Sequence, residues 1–331
     1  MKNTIPKRTA IITFDYELFL GRRTGTVENS VLKPTEKVLQ ILLMNKAKAI
    51  FFVDAAWLLV MKEKNVKEFK MVAAQLKEIT DAGSSVELHI HPQWFKAAYR
   101  NEQFILNSEE VYTIQSLPED EILTIFLKCT ELLSEITGKK PSCFRAGGWC
   151  IEPFHKLKES FRKTGIAYDF SVVAGNSIKE GKLYDYDFTK TPRLPFYRFS
   201  NTVNEQDKNG LFLEFPLSTY NSNPVYRIIN KALLKIENDM IFGDGIGAKE
   251  KSFLKRLLGS LSFSKGMLML DKTSSFLFRY LLKTHFIKSN LLVVVSHPKI
   301  ISLQSLKNLD FITRRYKTLN AGNLDNFILN N

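Results

Sequence analysis

The feature that most constrains the fold is an alternation of two kinds of segment. Short runs rich in β-branched and aromatic residues recur, each followed by a polar or glycine-containing turn and a longer stretch with helical spacing. The runs are TAIITF (9–14), KAIFFV (48–53), SSVELHI (84–90), SCFRA (142–146), IAYDFSV (166–172), LFLEFPL (211–217) and LLVVVS (291–296). Between the early runs lie helix candidates, KPTEKVLQILLMNKA, VKEFKMVAAQLKEITDAG and EDEILTIFLKCTELLSEITG. Pro34 suits a first helical turn, and Gly83 and Gly138 follow the last periodic residues, where helices stop. Strand and helix alternating at this spacing predict a parallel sheet, and seven such units predict a closed or nearly closed α/β barrel.

From about 222 to 290 the pattern becomes mostly helical, in NPVYRIINKALLKIEN, KSFLKRLLGSLSF and SSFLFRYLLKTHF. This section carries twelve Lys or Arg against five Asp or Glu, and it reads as a basic helical insertion before the last strand, either a lid or ordinary outer-layer helices. Its Leu and Phe residues interleave with its lysines, which suits peripheral contact with an anionic membrane. With no repeat, low-complexity tract or Pro-rich linker, residues 1–331 are expected to form a single domain.

The formal charge of +13 favours acidic partners, yet no RNP-like, helix-turn-helix or zinc-finger pattern accompanies it, so no specific nucleic acid is expected. Cys129, Cys143 and Cys150 form no even disulfide framework and no CxxC spacing, which favours a reducing compartment. The longest apolar stretch, 49–61, contains Asp54 and is shorter than the about 20 residues of a membrane-spanning helix. The apolar run before Asp15 is too short for a signal peptide, and a cytoplasmic location is the expectation.

In parallel barrels catalytic groups collect where strands end at the C-terminal face. Those ends read Asp15 and Glu17, His89 and His91, Arg145, Asp169, and His297. His89 and His91 are two apart on an extended segment, so their side chains share a face and can approach one ion. Two imidazoles and a carboxylate suffice for a divalent ion with a coordination position left for water. One of Asp15 and Glu17 would ligate and the other would accept a proton, and the sequence leaves open which. Glu17 has a plainer alternative, a salt bridge to Arg22 or Arg23. Trp149 offers a stacking surface after the Gly147–Gly148 turn, and Arg193 and Tyr197, within PRLPFYRF, are candidates to line the cleft. His155 and His285 fall in helix-like stretches and are read as structural histidines.

These segments resemble the motifs of polysaccharide deacetylases of the NodB-homology type, carbohydrate esterase family 4. TFDYE is similar to their first motif, usually TFDD, and VELHIHPQW to their histidine motif. FRAGGW is similar to their arginine motif and VVVSHP to the late motif that supplies a histidine. The resemblance runs from about residue 9 to 300 and implies a distorted (β/α)7-type barrel. It implies that Asp15 is the catalytic base, that Glu17 with His89 and His91 binds the metal, and that Arg145 orients the base or substrate. It also implies that His297 is the general acid and, more loosely, that Asp169 pairs with that histidine. Two departures stand out: the family's histidines are four apart, which would place the second on Phe95, and DYE replaces DD.

The expectation is therefore a metal-dependent carbohydrate deacetylase, with zinc or alternatively cobalt, nickel or manganese. It would hydrolyse an acetyl group, an N-acetyl first, on a sugar or glycan intermediate of surface polysaccharide synthesis. A catalytically silent glycan- or carrier-binding module on the same fold is the alternative, and a nucleic-acid binder acting through the basic helices is a more distant one.

Overall fold

The computed structural model describes residues 8–21, 23–101, 103–106, 113–180, 184–237, 240–247 and 264–330. At its centre is a nine-stranded sheet. The strands are β1 (Thr9–Tyr16), β2 (Ile50–Asp54), β3 (Ser85–Ile90), β4 (Cys143–Ala146), β5 (Tyr168–Asp169), β6 (Tyr197–Phe199), β7 (Phe212–Glu214), β8 (Leu291–Ser296) and β9 (Lys317–Leu319). Their spatial order is β6-β7-β5-β4-β3-β2-β1-β8, with β9 also pairing with β1. Every pairing is parallel except that of β6 with β7. The seven apolar runs all contain strands of this sheet. The expected barrel is present in curled form, and it is closed by a few bonds rather than by a full ladder. Just past β7, Ser218 donates its N–H to the Val293 carbonyl of β8 (2.9 Å), and Met269 bridges Val295.

The helices on the outside form where the sequence places their caps. They are α1 (Lys33–Met44), α2 (Ala55–Lys64), α3 (Val66–Asp81), α4 (Glu119–Thr137), α5 (His155–Thr164), α6 (Pro224–Ile236), α7 (Ser275–Lys288), α8 (Leu303–Arg315) and α9 (Leu324–Leu329). Asp54 and Asn65 cap α2 and α3 through their side chains. α4 opens on Glu119, Asp120 and Glu121, whose charges complement the helix dipole, and stops at Gly138 with φ +69°. All eight residues of β1 are buried, as a strand covered on both faces requires. Trp57 and Trp94 are fully buried with ring centroids 6.3 Å apart, and burying an apolar side chain of this kind contributes roughly 1.5–3 kcal/mol or more.

The section 222–290 is less uniformly helical than its composition predicts. α7 is an outer-layer helix that buries Leu277, Phe278, Leu281, Leu282 and Phe286, whereas α6 buries no residue. Between them Ser264–Met267 forms an antiparallel hairpin with Thr219–Ser222. The candidate helix KSFLKRLLGSLSF lies outside the described residues. Among the described residues, no helix is long and apolar enough to cross a membrane.

Candidate active site

Strand register brings the candidate residues to one end of the barrel. Asp15 pairs with Phe52, Asp54 with His89, and His89 with Arg145. Asp15, Glu17, His89, His91, Arg145 and His297 are all buried. Three of them converge most closely: Glu17 Oε2 lies 2.9 Å from His91 Nε2 and 3.5 Å from His89 Nε2. One ligand atom from each of these residues falls within 4.8 Å of the others. The two imidazoles meet edge to face, with centroids 4.7 Å apart and an interplanar angle of 84°. His91 keeps an extended backbone just beyond β3, so the two-residue spacing does put both rings on one side.

Neighbouring groups hold this triad in place. His89 Nδ1 lies 2.7 Å from the Arg145 carbonyl, which can only accept, so Nδ1 carries a proton and, in the neutral ring, Nε2 presents its lone pair. The His91 backbone N–H donates to Asp54 Oδ1 (3.2 Å). Gly147 passes so close that a Cβ there would sit 2.5 Å from the Ile90 carbonyl oxygen and 2.8 Å from His91 Nδ1. The FRAGG turn therefore approaches His91 rather than open solvent. The Lys299 ammonium lies 2.8 Å from Glu17 Oε1 and also donates to the Leu18 carbonyl (3.0 Å). Glu17 is thus paired with Lys299 in place of the sequence alternatives: Arg23 donates to the Asp244 carbonyl, and Arg22 lies outside the described residues.

A second constellation adjoins the first. Asp15 Oδ1 accepts from Arg145 Nη1, and Oδ2 lies 3.4 Å from His297 Nε2. Arg145 is anchored by Thr13 Oγ1 (3.0 Å) and the Phe170 carbonyl (3.0 Å), with its guanidinium 4.3 Å from the Phe52 ring centroid. On the far side of His297, Nδ1 lies 3.5 Å from Asp271 Oδ2, which also accepts the His297 backbone N–H (3.0 Å), while Asp271 Oδ1 accepts from Ser296 Oγ (2.7 Å). Asp15, Glu17 and His297 form another group whose ligand atoms lie within 4.8 Å.

The electrostatics follow from these partners. Burial pushes the Asp15 carboxyl up, but Arg145 foremost, then His297 and His89, outweigh it and hold its pKa below the usual value. Glu17 is likewise held well below the usual range, because Lys299 and His91 outweigh burial. Burial disfavours the His89 imidazolium, yet Glu17, Asp15 and Asp54 raise its pKa above 6.5. Burial raises the Asp54 pKa, and the nearby His91 and His89 offset it only in part.

Three sequence candidates lie elsewhere. Asp169 does not face His297: its carboxylate accepts from Ser171 N–H (3.1 Å) and Oγ (2.7 Å) and packs against Glu214. Asp271 occupies the position beside His297 that the family resemblance implies for Asp169. Tyr197 is a core residue of β6 whose hydroxyl donates to the Val203 carbonyl, because β6 turns that side chain inward to pair with β7. Arg193 is exposed near Gly175, with no hydrogen bond or ion pair to the cluster among the described residues. Trp149 is half-buried at φ +59°, a strained value for a non-glycine residue, directly after the turn that touches His91. His155 and His285 lie on α5 and α7, away from the cluster.

The reading from sequence missed Asp271 and Lys299. A signal existed for both: GMLMLD ends an apolar run on a carboxylate as TFD does, and Lys299 stands two residues after His297.

The buried atoms Glu17 Oε2 and His89 Nε2 have no hydrogen-bond partner although His91 Nε2 is close. Unpaired buried polar atoms are costly, and lone pairs that converge on one point instead of on donors are what a cation requires. One carboxylate and two imidazoles are donors suited to a divalent ion such as zinc.

Comparison with known proteins supports the resemblance carried by the motifs. Residues 2–153, just under half of the chain, match the polysaccharide deacetylase family, and this stretch contains Asp15, Glu17, His89, His91 and Arg145. Among solved structures, one described as a polysaccharide deacetylase from Mycobacterium smegmatis is similar over 100% of this chain and 93% of its own, with 13% identity and a TM-score of 0.53. A 4-alpha-glucanotransferase from Thermococcus litoralis is similar over 97% of this chain and 40% of its own, with 10% identity and a TM-score of 0.52. At these identities the likeness is one of fold, and the second structure illustrates that such a barrel does not by itself choose a reaction. No curated protein matches the sequence.

Proposed function

We propose that this chain, whose residues 2–153 carry the polysaccharide deacetylase match, is a metal-dependent hydrolase. It removes an acetyl group, an N-acetyl first, from a sugar or glycan intermediate of surface polysaccharide synthesis. One observation carries the reading: Glu17, His89 and His91 converge beside a separate Asp15–His297 pair at the C-terminal mouth of the barrel. We read residues 1–331 as one domain. The buried, unpaired Cys129, Cys143 and Cys150 favour a cytoplasmic location.

Glu17, His89 and His91 would hold a divalent ion, zinc first and cobalt, nickel or manganese as substitutes, which would supply Lewis acidity toward an acetyl carbonyl and a water. Asp15 is then the base that accepts the proton of the attacking water. Arg145 keeps Asp15 ionised and fixes its orientation. Addition of the water oxygen to the acetyl carbon and cleavage of the C–N bond yield acetate and an amine. His297 delivers the proton that the departing nitrogen needs, steadied by Asp271. Positioned acid–base groups of this kind contribute about 10²–10⁴-fold to rate.

The test is metal content of protein purified without a chelating tag, for wild type and His89→Ala/His91→Ala, together with acetate release from N-acetylated oligosaccharides. The expected result is about one divalent ion per chain, lost in the double variant along with acetate release, while the circular dichroism spectrum is unchanged. If no ion binds after zinc, cobalt, nickel and manganese are each supplied, the hydrolase reading falls and a silent glycan-binding module replaces it.

A further inference from the structure

α6 is built to form a helix but not to pack into the core. Asn223 caps it by accepting the Tyr226 N–H (2.9 Å), and Pro224 occupies its first turn. Its apolar residues Val225, Ile228, Ile229, Ala232 and Ile236 recur at the three- and four-residue spacing of one helical face. That face points away from the protein: Val225, Ile228, Ile229 and Ile236 are 62, 66, 44 and 80% exposed. The opposite side is the one that meets the protein. There Tyr226, Asn230 and Leu233 are half-buried, and Asn230 accepts the Ser274 N–H (2.9 Å) and donates to the Lys272 carbonyl (2.8 Å). Single exposed isoleucines are ordinary, but a continuous stripe of them marks an interaction surface.

Charge selects the partner. α6 contains Arg227, Lys231 and Lys235 and no acidic residue. Lys231 and Lys235 are exposed three and seven positions after Ile228, so they border the apolar stripe. On the following helix α7, exposed Phe276 and Ile287 alternate with exposed Arg279 and Lys283. An apolar stripe bordered by Lys231 and Lys235 matches the headgroup layer of an anionic bilayer, where aliphatic groups enter the acyl boundary and lysines meet lipid phosphates. Nucleic acid would satisfy the cations but gives exposed isoleucines nothing to bury against. Pairing of the face with a second copy would bring the lysines of both copies together with no acid on the helix to neutralise them.

We infer that the outward face of α6 is a docking surface for an anionic lipid bilayer, on which the helix lies rather than inserts across. At 13 residues it is about 20 Å long, too short to span. Through Asn230 the helix holds the turn that follows Asp271, so a docked α6 also sets the orientation of the candidate site relative to the membrane. The outward face of α6 is independent of the hydrolase reading.

The experiment is co-sedimentation of the full chain with vesicles of phosphatidylcholine alone or mixed with phosphatidylglycerol. The wild type should pellet with the mixed vesicles and stay in solution with phosphatidylcholine. Ile228→Asp/Ile236→Asp should weaken binding at least about tenfold, with an unchanged circular dichroism spectrum. As a second readout, Ile228→Cys carrying an environment-sensitive dye should shift to the blue on adding mixed vesicles. Three results would overturn the inference: no pelleting with no dye shift, equal binding to both vesicle types, or full binding by the double aspartate variant. A wild-type dimer broken by that variant would do the same, since it would assign the face to a second copy.

Discussion

Replacing Glu87 by glutamine should stabilise the protein at neutral pH and leave it unchanged in acid. Glu87 lies on β3 two residues before His89 and is 4% exposed. One carboxyl oxygen accepts the backbone N–H groups of Ser142 (2.7 Å) and Cys143 (2.8 Å), tying β3 to the start of β4. Burial pushes the pKa from 4.5 to about 7, and those two hydrogen bonds offset only part of the effect. The unfolded chain therefore releases this proton near 4.5, whereas the folded chain holds it until about 7. Because the folded form binds more protons in that window, the stability linked to Glu87 is complete below 4.5 and is lost as pH rises through 7. At about 1.4 kcal/mol per pH unit the loss is about 3 kcal/mol, and full burial calls for no discount for solvent screening. Glutamine retains an acceptor for the two N–H groups and has no proton to lose. Urea unfolding of both proteins across roughly pH 4 to pH 8 reads the difference. The gap should be near zero at the acid end and grow to about 3 kcal/mol at the basic end. A gap that is flat with pH, or one that opens toward acid, would refute the reasoning.

Asp271→Asn should lower kcat for acetate release about 10²–10³-fold with KM within about threefold, because Asp271 steadies His297. Asp169→Asn should leave kcat within about threefold, and the reverse ranking in steady-state kinetics would return the role to Asp169. Gly147→Ala forces His91 aside and should weaken metal binding about 10–100-fold in a competitive chelator titration, whereas unchanged affinity would show that the turn yields without moving the ring.

How much was legible in the sequence depended on length and repetition. Seven apolar runs, each long enough to show β-branched enrichment and a turn, all contain strands of the sheet. The strands Tyr197–Phe199 and Lys317–Leu319 have three residues each, too few to display a period, so nothing in the sequence marks the Tyr197 ring as part of the core. Asp169 lies within the apolar run 166–172, whereas Asp271 ends a shorter one. Asp271 lies in a section whose composition reads as helical, and Asp169 enters only through the loosest part of the family resemblance. Which carboxylate faces His297 is decided by how 268–270 joins Val295, a pairing between segments about 25 residues apart that neither segment advertises. The charge on Lys299 was visible, but only folding brings it to Glu17, 282 positions earlier.

The two departures of the motifs from the deacetylase pattern are related through the geometry of the cluster. The fourth position after His91 is Phe95, on a short turn and 39% exposed, so a histidine there would not face Glu17 as His89 does. With both imidazoles drawn from one strand end, the third donor must reach them from β1 across the intervening β2. Glu17 stands one position later than the family's aspartate and is one methylene longer, and its Oε2 arrives 2.9 Å from His91 while Oε1 stays on Lys299. Glu17→Asp tests this coupling because it conserves the charge and withdraws the carboxylate by about one C–C bond, roughly 1.5 Å. Metal affinity should fall about 10–100-fold in the same chelator titration, with folding intact. Affinity equal to wild type would mean that reach is not what the glutamate provides, and that Asp15 or a shifted strand end completes the triad.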